Sequence, residues 1–257
     1  MNSELKTTIK RAYEIFGNYT ISKPIDACRI CCVTEEEENY LIETPLKKIS
    51  RDALAHYQDS AQPKNLNLEE TKYFLPRFLE LVAEFDYPSH SAELSLTRVG
   101  HFAKKNWTEE EWRLLNEFMI TFFSHYLEIY PPVGSEHIDS ILIMFDKTKL
   151  DLSVLFKYWQ DSISIKNTYH FIELIESEIP KKDYHTFFTY FMEKEISDKI
   201  VNWINSKHIL QLFSDSIENM IMNPDNELKK IIKEHPDYNM SRLSWNYEAI
   251  QNKLKSY

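Results

Sequence analysis

Glycine is nearly missing from this chain of 257 residues: there are three, where average use would give roughly 18. That scarcity argues against glycine-cradled phosphate sites, tight β-hairpins and flexible linkers. Long apolar runs are missing too. The most apolar stretches, Phe118 to Phe123 and Ile141 to Phe145, fall far short of the roughly 20 residues that span a bilayer, so no membrane insertion is expected. The three cysteines, Cys28, Cys31 and Cys32, sit within five residues, which does not make a secreted disulfide framework. Residues Met1 to Lys6 lack the basic segment and apolar run of a signal peptide. A cytoplasmic protein is the expectation.

Basic patches are equally scarce. Acidic residues outnumber basic ones by 40 to 30, giving a net charge of −10. The acids are spread over both halves of the chain, and no dense basic segment suits a phosphate backbone. Nucleic acid is therefore disfavoured as a partner, while a basic protein is permitted. The nine histidines are scattered, with no H-E-x-x-H pair and no G-x-S-x-G elbow. No catalytic constellation emerges, and the chain is not expected to be an enzyme.

Helical periodicity is what the sequence does have. Leu5, Ile9, Ala12, Tyr13 and Phe16 share a face ended by Gly17-Asn18. Ser50 caps a segment through Leu54, Tyr57 and Ala61. Asn67 with Glu70 reads as a capping box before Phe74, Leu75, Phe78, Leu79 and Val82, with Pro76 either kinking that helix or starting a new one. Thr108 and Glu111 form a second capping box, followed by the stripe Leu115, Phe118, Met119, Phe122, Phe123 and Tyr126. Further helices are predicted over 136–147, 151–163, 167–178, 183–193, 196–222 and 243–254. Aromatics, 14% of the chain, fall on or beside these stripes at Tyr73-Phe74, Phe122-Phe123, Phe187-Phe188 and Tyr190-Phe191 and read as core. The expected fold is all-α, a multi-helix stack or irregular bundle of which a HEAT- or armadillo-like arrangement is one form. Pro131-Pro132-Val133-Gly134 marks a boundary between an N-terminal region, 1–130, and a C-terminal region, 131–257.

Two local features carry chemistry. In Cys28-Arg29-Ile30-Cys31-Cys32, a C-x-x-C hook presents thiolates to a tetrahedral zinc, with Cys32 a third ligand and His56 or His101 a distant fourth. The same residues also read as small buried apolar side chains, or as redox-active thiols. The acidic run Glu35, Glu36, Glu37 and Glu38 reads as a solvated first helical turn, favoured there by the helix dipole. Alternatively it is a surface that steers a basic partner.

Taken in order, several segments resemble a widespread group of bacterial proteins. They are the cysteine cluster with acids behind it, Thr44-Pro45-Leu46-Lys47-Lys48-Ile49, and the Leu54 to Ala61 stretch around Tyr57. Tyr73-Phe74-Leu75-Pro76-Arg77-Phe78-Leu79-Glu80-Leu81 and Trp107 with Glu110 or Glu111 complete the set. Members of that group carry a cysteine-rich stretch, a TPL segment and a FLPRxLEL helix. The resemblance covers roughly residues 10–125 and implies a shared helical scaffold. After Ala61 this chain departs from it, with Pro63-Lys64-Asn65-Leu66 in place of a small Trp-Gly element. By analogy, small acidic bacterial proteins of this kind include the immunity partners of secreted toxins. The resulting expectation is a cytoplasmic protein-binding protein that neutralises a cognate toxin, with a zinc-bearing structural or adaptor protein as the alternative.

Overall fold

The structure, a computed structural model, describes residues 1–30, 32–61, 66–134, 136–178 and 191–257. It is all-α, with thirteen α-helices and no strand among the described residues. The helices are α1 (Ser3–Ile15), α2 (Glu35–Glu43), α3 (Arg51–Asp59), α4 (Leu68–Ala83), α5 (Thr97–Gly100), α6 (Glu109–Leu127) and α7 (Ile138–Lys147). They continue with α8 (Ser153–Asp161), α9 (Ile165–Glu178), α10 (Lys194–Ile204), α11 (Lys207–Met222), α12 (Asn226–Glu234) and α13 (Met240–Leu254). The chain divides into two compact units, Met1–His125 with Ser140–Leu152 and Tyr126–Asp139 with Ser153–Tyr257.

In the first unit, α1 packs on α4 through the buried face Leu5, Ile9 and Ala12 that its spacing predicts. Helix α4 runs unbroken through Pro76, although the proline removes one backbone donor. Its end is a Schellman motif: Asp86 N–H donates to Leu81 O and Phe85 N–H to Val82 O, with Phe85 in the left-handed region at φ 60°. Glycine usually fills that position. Here the phenylalanine ring is used for packing, 5.6 Å from Phe122. Phe118, Phe122 and Phe145 form the neighbouring aromatic cluster, with ring centroids 5.8–6.3 Å apart. Gly100 is needed for close approach, because a Cβ there would lie 1.8 Å from the Lys147 carbonyl oxygen.

The sequence treats acids as surface groups, yet this unit buries several of them. Thr108 and Glu111 do form the capping box, but Glu111 also takes the Lys72 ammonium at 2.8 Å and the Tyr19 hydroxyl at 2.6 Å. Asn67 caps α4 by accepting from Glu69 N–H and Glu70 N–H. Glu70 does not reciprocate as a capping box requires. It turns inward, accepting from the Tyr57 hydroxyl at 2.7 Å and Asp26 N–H at 2.8 Å.

The second unit is organised around α11, which packs on α9, α10 and α13. Phe171 and Phe213 stack with centroids 3.7 Å apart and planes 5° from parallel, and Trp159 and Trp203 adjoin them. The predicted 196–222 helix is in fact two helices, because Ser206 accepts from Ile209 N–H and caps a new one. Helix α12 was not predicted; Asp225 caps it by accepting from Leu228 N–H. The predicted 183–193 helix and the aromatics Phe187, Phe188 and Tyr190 lie almost wholly outside the described residues, and Glu193 is the N-cap of α10.

Candidate functional site

The sequence-predicted residues occupy the first unit. Thr34 and Glu37 form a full capping box at the start of α2, so the acidic run is the first turn of a helix. Its four carboxylates have different surroundings. Glu35 and Glu36 are exposed. Glu37 lies 2.7 Å from His56 Nδ1, and its backbone and histidine hydrogen bonds hold it below the ordinary carboxylate range. Glu38 is only 2% exposed; it accepts from Ile25 N–H at 2.9 Å and pairs with Arg29. Burial pushes the Glu38 carboxyl up, but those partners outweigh it and hold the group down. The run therefore offers two carboxylates to solvent, while the other two serve the fold.

Cys28 and Cys32 flank a turn in which Cys28 O accepts from Cys32 N–H and Val33 N–H. Both cysteines are half-buried. Cys31 lies outside the described residues. Among the described residues, no three His, Cys, Asp or Glu side chains gather as a metal-holding group.

The richest polar cluster lies in the second unit, around a cleft of about 320 Å³ lined by His137, Asp139, Glu173, Glu176, Tyr238 and Arg242. Glu173 and Glu176 are one turn apart on α9 and therefore share a face. The Tyr130 hydroxyl donates to Glu173 Oε1 at 2.7 Å, and His137 Nδ1 lies 3.3 Å from Glu173 Oε2. Burial raises the Glu173 carboxyl, but its bonds to His137 and Tyr130 outweigh this and keep it below the usual range. The bond to Glu173 in turn raises His137. Burial, followed by the Glu173 charge, raises the Tyr130 hydroxyl far above its ordinary value, so it remains a donor.

Glu176 is held differently. Arg242 donates to both its oxygens, Nε at 2.9 Å and Nη2 at 2.6 Å, and Asn246 Nδ2 donates at 2.7 Å. This fork geometry fixes both partners. The Arg242 guanidinium also lies 4.8 Å from the Tyr238 ring centroid. Behind the cleft, Tyr130 stacks on Tyr169 at 4.9 Å, and the Tyr169 hydroxyl donates to Tyr238 O. His170 is fully buried between Tyr126 and Tyr130. Its Nε2 lies 2.9 Å from Ile129 O, so that nitrogen carries the hydrogen. Burial lowers the ring's pKa to about 4.

Three carboxylates against one arginine and one histidine make the cleft acidic on balance, and two of them are locked by tyrosine, asparagine and arginine donors. Chemically, carboxylates held this way can meet a further cationic group without first having to order their own side chains. Sequence reading missed it because its members come from three distant segments. The one local signal was Glu173 and Glu176 at i and i+3 within the apolar run Phe171, Ile172, Leu174 and Ile175, which are all buried. Among the described residues no helix is long and apolar enough to cross a membrane. Comparison with family models, curated proteins and solved structures gives no match.

Proposed function

We propose that this chain is a cytoplasmic protein-binding protein, most concretely an immunity protein that neutralises a cognate basic toxin by direct binding. The observation that carries this reading is the acidic cleft at Asp139, Glu173 and Glu176, which matches a lysine or arginine side chain of such a partner. Carboxylates already held by Tyr130, Arg242 and Asn246 lose little freedom on binding, so an ion pair formed there retains more of its gross energy. In the first unit, the exposed Glu35 and Glu36 contribute to the long-range field that speeds encounter. Neither element depends on a reaction being catalysed.

The test begins with affinity purification of the tagged protein from its native host in mild salt, with mass spectrometry of what co-elutes. The expected result is one stoichiometric basic protein that arrests growth when expressed alone and is relieved by this chain. Asp139→Asn should then speed dissociation of that pair about thirty-fold or more, the range for losing one side of a buried charge pair. Glu35→Gln with Glu36→Gln should slow association and flatten its salt dependence. A preparation with no stoichiometric partner refutes the proposal, whereas a partner insensitive to Asp139→Asn refutes only the cleft as its binding site.

A further inference from the structure

We infer that the first unit holds a single structural water, bridging Arg98 to the hydroxyls of Thr71 and Ser95. Arg98 is 3% exposed, an unusual position for a guanidinium, and it is only partly paired. Its Nη2 donates to Tyr57 O at 2.7 Å and Asp26 O at 3.0 Å, and its Cζ lies 3.7 Å from the Tyr57 ring centroid. Among the described residues, its Nε and Nη1 have no acceptor, and neither the Thr71 nor the Ser95 hydroxyl has a partner. Thr71, Ser95 and Arg98 line the same cavity, walled otherwise by Tyr57, Gln58, Phe74, Leu75, Phe78, Leu96 and Val99. Buried donors left unmatched are strongly disfavoured, so the convergence of several on one space points to a ligand that completes them.

Size and charge select the ligand. The cavity gives a water-sized sphere's centre about 10 Å³, close to the minimum that holds one water and too little for a polyatomic ion. A buried water needs two to four polar partners, and the guanidinium and two hydroxyls supply them. A halide would also be met by N–H and O–H donors. However, Glu70 accepts from the Tyr57 hydroxyl at 2.7 Å, and a carboxyl beside the wall that Tyr57 forms disfavours an added anion. In the bridged arrangement an Arg98 N–H donates to the water, which donates onward to one hydroxyl and accepts from the other. The bridge ties α4, which carries Thr71, to the segment that carries Ser95 and α5.

The experiment is a crystal structure of the full chain at a resolution that orders solvent, with a second crystal grown in bromide instead of chloride. The expected result is one density peak within hydrogen-bond distance of an Arg98 nitrogen and at least one of the two hydroxyls, with no anomalous signal in bromide. An anomalous peak there would make the site an anion site and overturn the proposal. Absence of a peak, or Arg98 re-paired with a protein group, would overturn it too. Thr71→Val with Ser95→Ala keeps most of the packing volume and should abolish the peak; a peak of unchanged strength would refute the bridge. If that variant fails to fold, the wild-type pair of crystals decides the question alone.

Discussion

Replacing Lys72 by methionine should unbalance a buried charge rather than merely remove a contact. Lys72 and Glu111 side chains are 5% and 3% exposed and lie 2.8 Å apart. Lys72 also donates to the Tyr19 hydroxyl and to Asn106 O, while Glu111 accepts from Thr108 N–H and Tyr19. Methionine matches the lysine stem but leaves Glu111 ionised without its cation, at an expected cost of about 3–5 kcal/mol. Adding Glu111→Gln removes the stranded charge, so the double variant should recover roughly 2–3 kcal/mol, near the top of measured couplings between touching residues. Burial lowers Lys72 but its partners raise it overall; burial raises Glu111 but Lys72 and Tyr19 lower it overall. The carboxylate's contribution is therefore present above its ordinary 4.5 and lost as pH falls through its depressed folded value. The ammonium's contribution is present below its ordinary 10.5 and lost as pH rises through its elevated one. Denaturant titrations of the wild type, both single variants and the double, read by circular dichroism near neutral pH, in acid and in alkali, measure each part. A Lys72→Met loss under about 1 kcal/mol, or strict additivity in the double variant, would refute the argument that the pair is coupled.

Two further outcomes follow from the packing. Gly100→Ala should destabilise by about 1–3 kcal/mol, the usual cost of overpacking, because its Cβ meets the Lys147 carbonyl oxygen at 1.8 Å; thermal melting checks this, and an unchanged melt would show that the backbone yields. His170 is neutral when folded, its pKa lowered to about 4 by burial. As pH falls from its ordinary 6.5, the unfolded chain takes up a proton that the folded chain refuses, so stability should decline by about 3 kcal/mol down to the folded pKa. His170→Phe should flatten that decline, and a variant whose acid sensitivity matches the wild type would place the titration elsewhere.

Much of the fold was legible because local patterns have local causes. The stripe on α6, the Thr108–Glu111 box and the Ser50 cap are fixed by residues three or four apart, and the structure reproduces them. The burial of Glu38, Glu70 and Glu111 was not legible. Each is held by a partner 9 to 44 residues away, namely Arg29, Asp26 and Lys72, and nothing local separates such an acid from a solvated one. The break before Ser206 was missed because the flanking residues continue an apolar pattern and only the serine side chain reveals a new cap. The cleft is the extreme case: His137, Glu173 and Arg242 converge from three parts of the chain, and spacing along the sequence records none of it. Glu35 and Glu36 matched the expected solvated turn, whereas Glu37 and Glu38 were drawn into the fold by His56 and Arg29.

The aromatic richness has an optical consequence. In the second unit the indoles of Trp159 and Trp203 lie 5.1 Å apart at 34°, close enough for their electronic transitions to couple and give a near-ultraviolet dichroic band that vanishes when the pair separates. In the first unit Trp107 has the Lys72 ammonium 5.2 Å from its ring, so its emission responds to the charge beside it. The second unit thus carries, in the Trp159–Trp203 pair, a reporter of its own packing that needs no attached label.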